Sequence, residues 1–402
     1  MSKGRVGKKP FAKTQLGMAL ITVLFVIALT VIVAVEMSMR LQLQVSRTTN
    51  MTSNRQAYWY AVSAEELVKQ TIKRINTEKD SRTTHIHSGQ EWAQQGIEFP
   101  VDGGTIGGEL TDLQACFNLN ALASDKPDES QAGGTQLGSP TAGGGVPKAG
   151  GGPSPSPSPP RGGSSGTAKP GGSSSSGGAS AGSTNPKRRQ GITYAMEVFQ
   201  RLLEQLEVDQ IAEVPSEYLM QRAKDWVDSD GMQTGGGGME EDDYRGLEIP
   251  YLAANTLMAS ESELRMIGDF SPAVYAKIKP YICVIPGSTK LKININTVKA
   301  EQAELVSAMF DGLSVEDAKA IISGGQPDGY EKVSDFLDRS EFTRIEQGVK
   351  DEAQQYFDVT TQYFALKAQS SYGDSKFYLN SKLHVNESKQ VTVIARRFGV
   401  DL

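Results

Sequence analysis

Residues 18–35 contain no charged side chain, and Thr22 and Thr30 are the only polar groups among them. As a helix this run is about 27 Å long, close to the hydrocarbon thickness of a bilayer. Its apolar residues cover every face rather than one stripe, which does not suit a helix packed on one side of a soluble core. Lys3, Arg5, Lys8, Lys9 and Lys13 precede the run and Glu36 follows it. That charge order holds the N-terminus in the cytoplasm and sends the rest of the chain outward.

A secretory signal is cut after its apolar region, at a small-x-small site. After Val35 come Glu36, Met37, Ser38, Met39 and Arg40, which offer no such site. The small residue stands before the run instead, at Gly17, so a cut there removes a basic leader and leaves the span attached. Glycine suits that place because a protease can seat its backbone closely. This arrangement resembles the type IV prepilin class, which includes the pseudopilins of type II secretion. The resemblance implies cleavage by a prepilin peptidase between Gly17 and Met18, followed by methylation of the new N-terminal amine. Most members of the class carry a glutamate at the fifth position of the mature chain, where it pairs with a neighbouring subunit's amine. Here that position is Thr22. A buried carboxylate without a partner is costly, whereas a threonine hydroxyl is expected to bond back to the Met18 carbonyl in its own helix. The departure resembles the K-type minor pseudopilin, the family member that lacks the glutamate and sits at the filament tip.

No proline interrupts residues 18–99, and apolar residues continue at helical intervals through Tyr58, Ala61, Leu67, Val68 and Ile72. The pattern predicts one helix over residues 18–75, half in lipid and half packed on an outer domain. Tyr58, Trp59 and Tyr60 lie too far beyond Val35 for an interfacial belt and are expected in the core. Next, "GIEFPVDGGTIGGELTDLQACFNLNAL" reads as short strands broken by glycine turns, and "DLQACFNLNAL" resembles a segment of K-type pseudopilins. Residues 132–188, rich in Gly, Ser and Pro, cannot bury a core and read as a tether. Helical patterning resumes at Tyr194, and alternation with turn formers returns after Tyr356. The expected fold is α+β. A long N-terminal transmembrane helix packs on a pseudopilin-type antiparallel sheet, with a large inserted helical domain containing helix-hairpin-helix or SAM-like units. The expected segments are a leader (1–17), the membrane and spine helix (18–75) and the first part of the α/β domain (76–131). The low-complexity insert (132–188), the helical insertion (189–345) and the terminal strands (346–402) follow.

One stretch, "KDWVDSDGMQTGGGGMEEDDYRG", concentrates acid around glycines. Asp228 and Asp230, with Asp225 a weaker candidate, come before the glycine run. Glu241, Asp242 and Asp243, with Glu240 a weaker candidate, come after it. Oxygen ligands on a pliable loop are what calcium takes, but the spacing is not that of an EF-hand, and composition alone fits a solvated acidic loop equally well. The K-type family carries a Trp-x-Asp-x-Asp stretch and then a Glu-Asp-x-Tyr-like stretch, and binds calcium between them. Trp226, Asp228 and Asp230 match the first, and Glu241, Asp242, Asp243 and Tyr244 match the second. The resemblance therefore implies calcium.

A second stretch, "LKININTVKAEQAELVSAMFDGLSVEDAKAIISGGQPDGYEKVSDFLD", resembles a helix-hairpin-helix module, with "SELRMIGDFSPAVYAKIKPYI" as a possible second copy. DNA-gripping versions present backbone amides at a glycine pair. Here Asp311, Glu316 and Asp317 surround a turn with one glycine, Gly312. A net charge of -6 also lacks the basic footprint of a nucleic-acid binder. A packing module is expected, and with it no nucleic-acid partner. A membrane-anchored DNA receptor for natural transformation is the rival reading, and it would need a basic hairpin face.

Three histidines and two cysteines complete the inventory. His85-x-His87 could hold a metal on one face of a strand but is expected in a solvated loop. Cys116 and Cys283 are expected as two buried thiols, with pairing open. HExxH and Walker patterns are missing and no catalytic set is recognised, so an enzyme is not expected. The resemblance implies a single-pass inner-membrane protein with its outer domain in the periplasm. Its partners would be the I- and J-type minor pseudopilins, the major pseudopilin, the assembly platform and the prepilin peptidase.

Mass spectrometry of the mature protein is expected to find methylated Met18 at the N-terminus, and Gly17→Leu is expected to block processing. A mature chain that begins beyond Val35 would overturn the prepilin reading.

Overall fold

The computed structural model describes residues 16–77, 85–94, 96–124, 191–325 and 328–399. The basic leader and the low-complexity insert lie outside the described residues. The described residues up to Ser124 and from Ala195 onward belong to a first compact unit, and residues 191–194 fall outside it. Nearly all the described residues belong to the first unit.

Helix α1 runs unbroken over Leu16–Thr77. From Ala19 to Val45 every side chain is exposed, and the helix is long and apolar enough to cross a membrane. Its two threonines are satisfied locally. Thr22 Oγ1 donates to the Ala19 carbonyl at 2.9 Å and Thr30 Oγ1 to the Ile27 carbonyl at 2.8 Å. The expected partner of Thr22 was Met18; the hydroxyl reaches one residue less far back.

From Ala57 onward α1 lies on a sheet. After it come β1 (Ile97–Val101), β2 (Gly104–Asp112) and the two-residue β3 (Phe117–Asn118). The helical part holds α2 (Tyr194–Gln205), α3 (Ser216–Val227), α4 (Glu241–Arg245) and α5 (Pro272–Ile278). Short strands β4 (Ile282–Cys283) and β5 (Ile293–Asn294) precede α6 (Ala303–Met309), α7 (Val315–Ser323), α8 (Val333–Leu337) and α9 (Gln347–Gln354). Strands β6 (Phe357–Asp358), β7 (Tyr363–Tyr372), β8 (Ser375–Val385) and β9 (Val391–Phe398) close the chain. The main sheet is antiparallel throughout, in the order β1-β2-β7-β8-β9. The entire helical part therefore sits between two neighbouring strands, β2 and β7. The tight β1–β2 turn depends on glycine: Gly103 has φ +74°, and a Cβ at Gly104 would lie 1.8 Å from the Ser371 carbonyl oxygen.

The helix–sheet core joins Ala61, Ala64 and Ile72 to Trp92, Leu110, Phe364, Leu366, Leu379 and Leu383. Small residues on α1 let it come close: Ser370 Oγ donates to the Ala57 carbonyl at 2.6 Å. Two expectations are corrected. Trp59 is 59% exposed and Leu67 55% exposed, because both lie on the side of α1 turned from the sheet. Tyr58 is half-buried and packs on the sheet, its ring 5.3 Å from Phe377 and 5.9 Å from Phe398, and the Tyr60 ring lies 6.0 Å from Tyr372. Tyr60 is half-buried and bonds the Asp102 carbonyl. The apolar pattern also hides a fully buried charge. Glu65 on α1 receives Arg396 Nε at 3.0 Å and Nη2 at 2.6 Å from β9, and Ser381 Oγ at 2.5 Å from β8.

The helical part is fastened at its base. β3 pairs with β4 and β5 with β6, both parallel. Cys116 and Cys283 form a disulfide, not two thiols, with Cα atoms 5.8 Å apart. The β3–β4 register, Phe117↔Ile282 and Asn118↔Cys283, brings the two segments side by side. Asp112, at the end of β2, is buried and accepts four hydrogen bonds. They come from the Gln114 amide (2.7 Å), Thr361 Oγ1 (2.6 Å), Thr297 Oγ1 (2.7 Å) and Asn294 Nδ2 (2.9 Å). The polar residues of the "ININT" stretch thus serve as internal anchors, and Asn296 holds the Tyr330 backbone in the same way. In the turn between α6 and α7 Gly312 has φ +87°.

Arg396→Met is expected to leave Glu65 buried without its partner and to cost about 2 kcal/mol in urea unfolding, less than a fully buried pair because Arg396 keeps a solvent-facing edge. Glu65→Met combined with Arg396→Met should recover most of that loss. Cys283→Ser should cost on the order of 3–5 kcal/mol, given the long loop that the bond closes.

Candidate metal centre

The acidic stretch folds around the C-terminus of α3 and the N-terminus of α4. α3 is held by its buried face, which includes Leu219, Met220, Ala223, Trp226 and Val227. Its last turn carries Asp225 inward, and the helix ends at Asp228, whose extended backbone turns the chain away. The glycines then fold back over α3. A Cβ at Gly238 would lie 2.2 Å from Asp225 Oδ2, and one at Gly237 would lie 2.2 Å from the Tyr218 ring. The loop is pinned by Gln221 Oε1 accepting the Gly237 amide (2.8 Å) and by Arg222 Nε donating to the Gly237 carbonyl (3.0 Å). It returns to place Glu240 at the cap of α4. Trp226 and Tyr244, one from each helix, meet edge to face at 5.4 Å.

This path brings ligand oxygens of Asp228, Asp230 and Glu240 within 4.8 Å of one another. Asp228 and Glu240 are each 6% exposed and Asp225 is fully buried. Asp225 Oδ1 accepts the Thr234 amide at 2.9 Å. Its Oδ2, Asp228 Oδ1 and both carboxylate oxygens of Glu240 are buried and lack a hydrogen-bond donor. Lys224 Nζ stands 3.4 Å from Asp228 Oδ2. Burial, reinforced by the neighbouring carboxylates, pushes Glu240 up to about 7. Burial likewise pushes Asp228 up to about 6, with Lys224 pulling the other way. Burial raises Asp225 as well.

The remaining acids of the stretch do other work. Glu241 pairs with Arg245, and Asp242 lies 98% exposed with Arg245 3.6 Å away. Asp243 Oδ2 accepts the Glu240 amide at 2.9 Å and Gln233 Nε2 at 2.6 Å. So the second half of the cluster contributes Glu240, ranked lower on sequence, while Glu241, Asp242 and Asp243 begin α4. Asn255 was missed. Its Oδ1 is buried without a donor, and its Nδ2 donates to the Asp230 carbonyl at 3.3 Å. Asn255 lies beyond α4, and only its left-handed backbone, φ 42°, an Asn-enriched conformation, hints at its place.

Buried carboxylate oxygens without donors, gathered from a loop and two helix ends, fit a hard divalent cation taking six to eight oxygens at about 2.3–2.6 Å. Asp228, Asp230, Glu240 and Asn255 would hold it, with Asp225 behind them. Among the described residues no other group of three or more metal-binding side chains gathers in this way.

Two family models, both described as type II secretion system (T2SS), protein K, match residues 180–287 and 293–360. The type II secretion system protein K of Aeromonas hydrophila is 32% identical over 97% of this chain and 99% of its own length. That of Pectobacterium carotovorum subsp. carotovorum is 30% identical over 96% and 97%. The fold is similar to a chain in the crystal structure of the GspK-GspI-GspJ complex from the enterotoxigenic Escherichia coli Type 2 Secretion System. The TM-score is 0.63 at 24% identity, over 88% of this chain and 100% of that chain.

A carboxylate whose folded pKa is raised stabilises the fold below its unfolded pKa and loses that contribution as pH rises through the folded value. In chelator, melting temperature is therefore expected to fall as pH rises from about 4 to about 7, between the ordinary carboxylate values of 3.8 and 4.5 and the folded values of Asp228 and Glu240 near 6 and 7, and to level off above that. Saturating calcium should remove that slope and add about 3 kcal/mol at a hundredfold excess over Kd. Equal melting curves with calcium and with chelator would overturn the site.

Proposed function

The chain belongs to the type II secretion system protein K family, and we propose that it works as the minor pseudopilin at the tip of a periplasmic pseudopilus. In this reading it initiates and caps the filament that drives folded proteins across the outer membrane. Its work is mechanical rather than catalytic. α1 anchors it once in the inner membrane, with the N-terminus cytoplasmic and the sheet and helical part in the periplasm, after a prepilin peptidase has removed the leader and methylated Met18.

The observation that carries this reading is the uncovered first part of α1. Met37, Met39, Leu41, Leu43 and Val45 are each at least 57% exposed, beyond the reach of the apolar run at residues 18–35. Nothing in the described chain covers them, so helices of other subunits are the fitting cover. The I- and J-type minor pseudopilins are the proposed first neighbours, with the major pseudopilin and the inner-membrane assembly platform below. Thr22 supports a terminal place. Its hydroxyl is spent within its own helix, and it offers no carboxylate to a neighbour's amine. A helical part lodged between β2 and β7 would also obstruct stacking along a shaft. Calcium at Asp228, Asp230 and Glu240 would order the loop between α3 and α4. The acidic residues Asp311, Glu316 and Asp317 at the α6–α7 turn speak against a DNA receptor.

Purification of the full chain from detergent-solubilised membranes should bring down the I- and J-type subunits in fixed ratio. Subunit counting in sheared pseudopili should find this chain at one end. Recurrence at regular intervals along the shaft would overturn the tip assignment. Thr22→Glu should not raise secretion, since a new carboxylate in the membrane lacks a partner.

A further inference from the structure

Two of the three histidines are buried side by side. His85 is 3% and His87 7% exposed, and their ring centres are 5.5 Å apart. The solvated loop expected from sequence is thus corrected, and the reason is backbone pairing on both sides. The Ile86 amide donates to the Val359 carbonyl at 2.8 Å and the Ser88 amide to the Asn296 carbonyl at 3.2 Å. Asn294 Nδ2 donates to the Ile86 carbonyl at 3.1 Å. Gly329 presses from the other side, where a Cβ would come 3.0 Å from His87 Cβ.

His85 Nε2 contacts the Asp328 carbonyl oxygen. A carbonyl only accepts, so Nε2 carries the proton and the lone pair is left on Nδ1. A ring held by a backbone carbonyl in this way presents its other nitrogen as a metal ligand. The Nδ1 atoms of both His85 and His87 are buried and have no hydrogen-bond partner. Burial and the neighbouring His85 lower the pKa of His87, opposed by the Asp328 carboxylate. Two imidazoles that share one ion at about 2 Å per Zn–N bond have ring centres roughly 5–6 Å apart, which the observed spacing meets.

We propose that His85 and His87 form a site for a borderline divalent transition metal, Zn²⁺ being the reference ion. Water completes the shell. The site is chemically separate from the acidic cluster: imidazole nitrogen suits zinc, nickel or copper and not calcium. An ion there would pin the connection from α1 to β1 against the loop that leads into α8.

The test uses the untagged full chain in detergent with saturating calcium, so that the acidic cluster is filled. Zn²⁺ titration by calorimetry is expected to show one saturable equivalent. His85→Gln and His87→Gln should each weaken it at least tenfold, and Asp228→Ala should leave it unchanged. Cu²⁺ bound to the wild type should show electron-spin coupling to two imidazole nitrogens, a reading that does not depend on the variants folding. Absence of saturable binding, binding retained in both histidine variants, or a copper spectrum without nitrogen coupling would each overturn the site.

Discussion

Asp112 is the point on which the architecture turns. Its carboxylate lies at the end of β2, where the chain leaves the sheet, and burial raises its pKa. It is held by Thr361 just before β7, where the chain returns, and by Asn294 and Thr297 between those points. A buried carboxylate left short of donors is costly, so departure and return are bound to meet at one place. β2 and β7 can then pair over their full register, Gly104↔Tyr372 to Asp112↔Phe364, as though nothing had been inserted. The parallel bridges and the disulfide lie at the same base.

Much of this was legible because it rests on local pattern. The uncharged run, the absence of proline after it and the glycine pairs around Gly103 each mark an element without reference to the rest of the chain. What could not be read depends on contacts distant in sequence. Trp59 and Leu67 fit a helical period as well as Ala61 and Ile72 do, and only the position of the sheet decides which face is covered. Glu65 looks like a solvent-facing acid until β9 supplies Arg396. The disulfide required knowing that β3 and β4 lie side by side, across a separation of 167 residues.

The acidic stretch shows the same limit at finer scale. Composition marked the loop but not which acids of its second cluster turn inward. Consecutive acids cannot all face one point once the backbone becomes helical. At the start of α4, Glu240 turns inward, while Glu241 and Asp242 turn to Arg245 and solvent. Acid in a first helical turn is favoured by the helix dipole, so those residues have a local reason to be there without a cation. The His85-x-His87 pair erred in the opposite direction. Its surroundings in sequence are polar, yet Val359, Asn296 and Gly329 enclose it.

The covalent link between Cys116 and Cys283 also determines how the molecule bears load. A pull along α1 passes into the sheet through Ala57, Ala61, Glu65 and Ile72, and leaves through β7, β8 and β9. The helical part lies off that line of force. The disulfide closes the stretch from Cys116 to Cys283, which carries α2 to α5 and the acidic loop, so tension on the sheet cannot draw the ends of that stretch apart and peel it open. The fold behaves as a taut axle with a closed loop clamped to its side: the axle can be strained while the loop, and whatever it binds, keeps its shape.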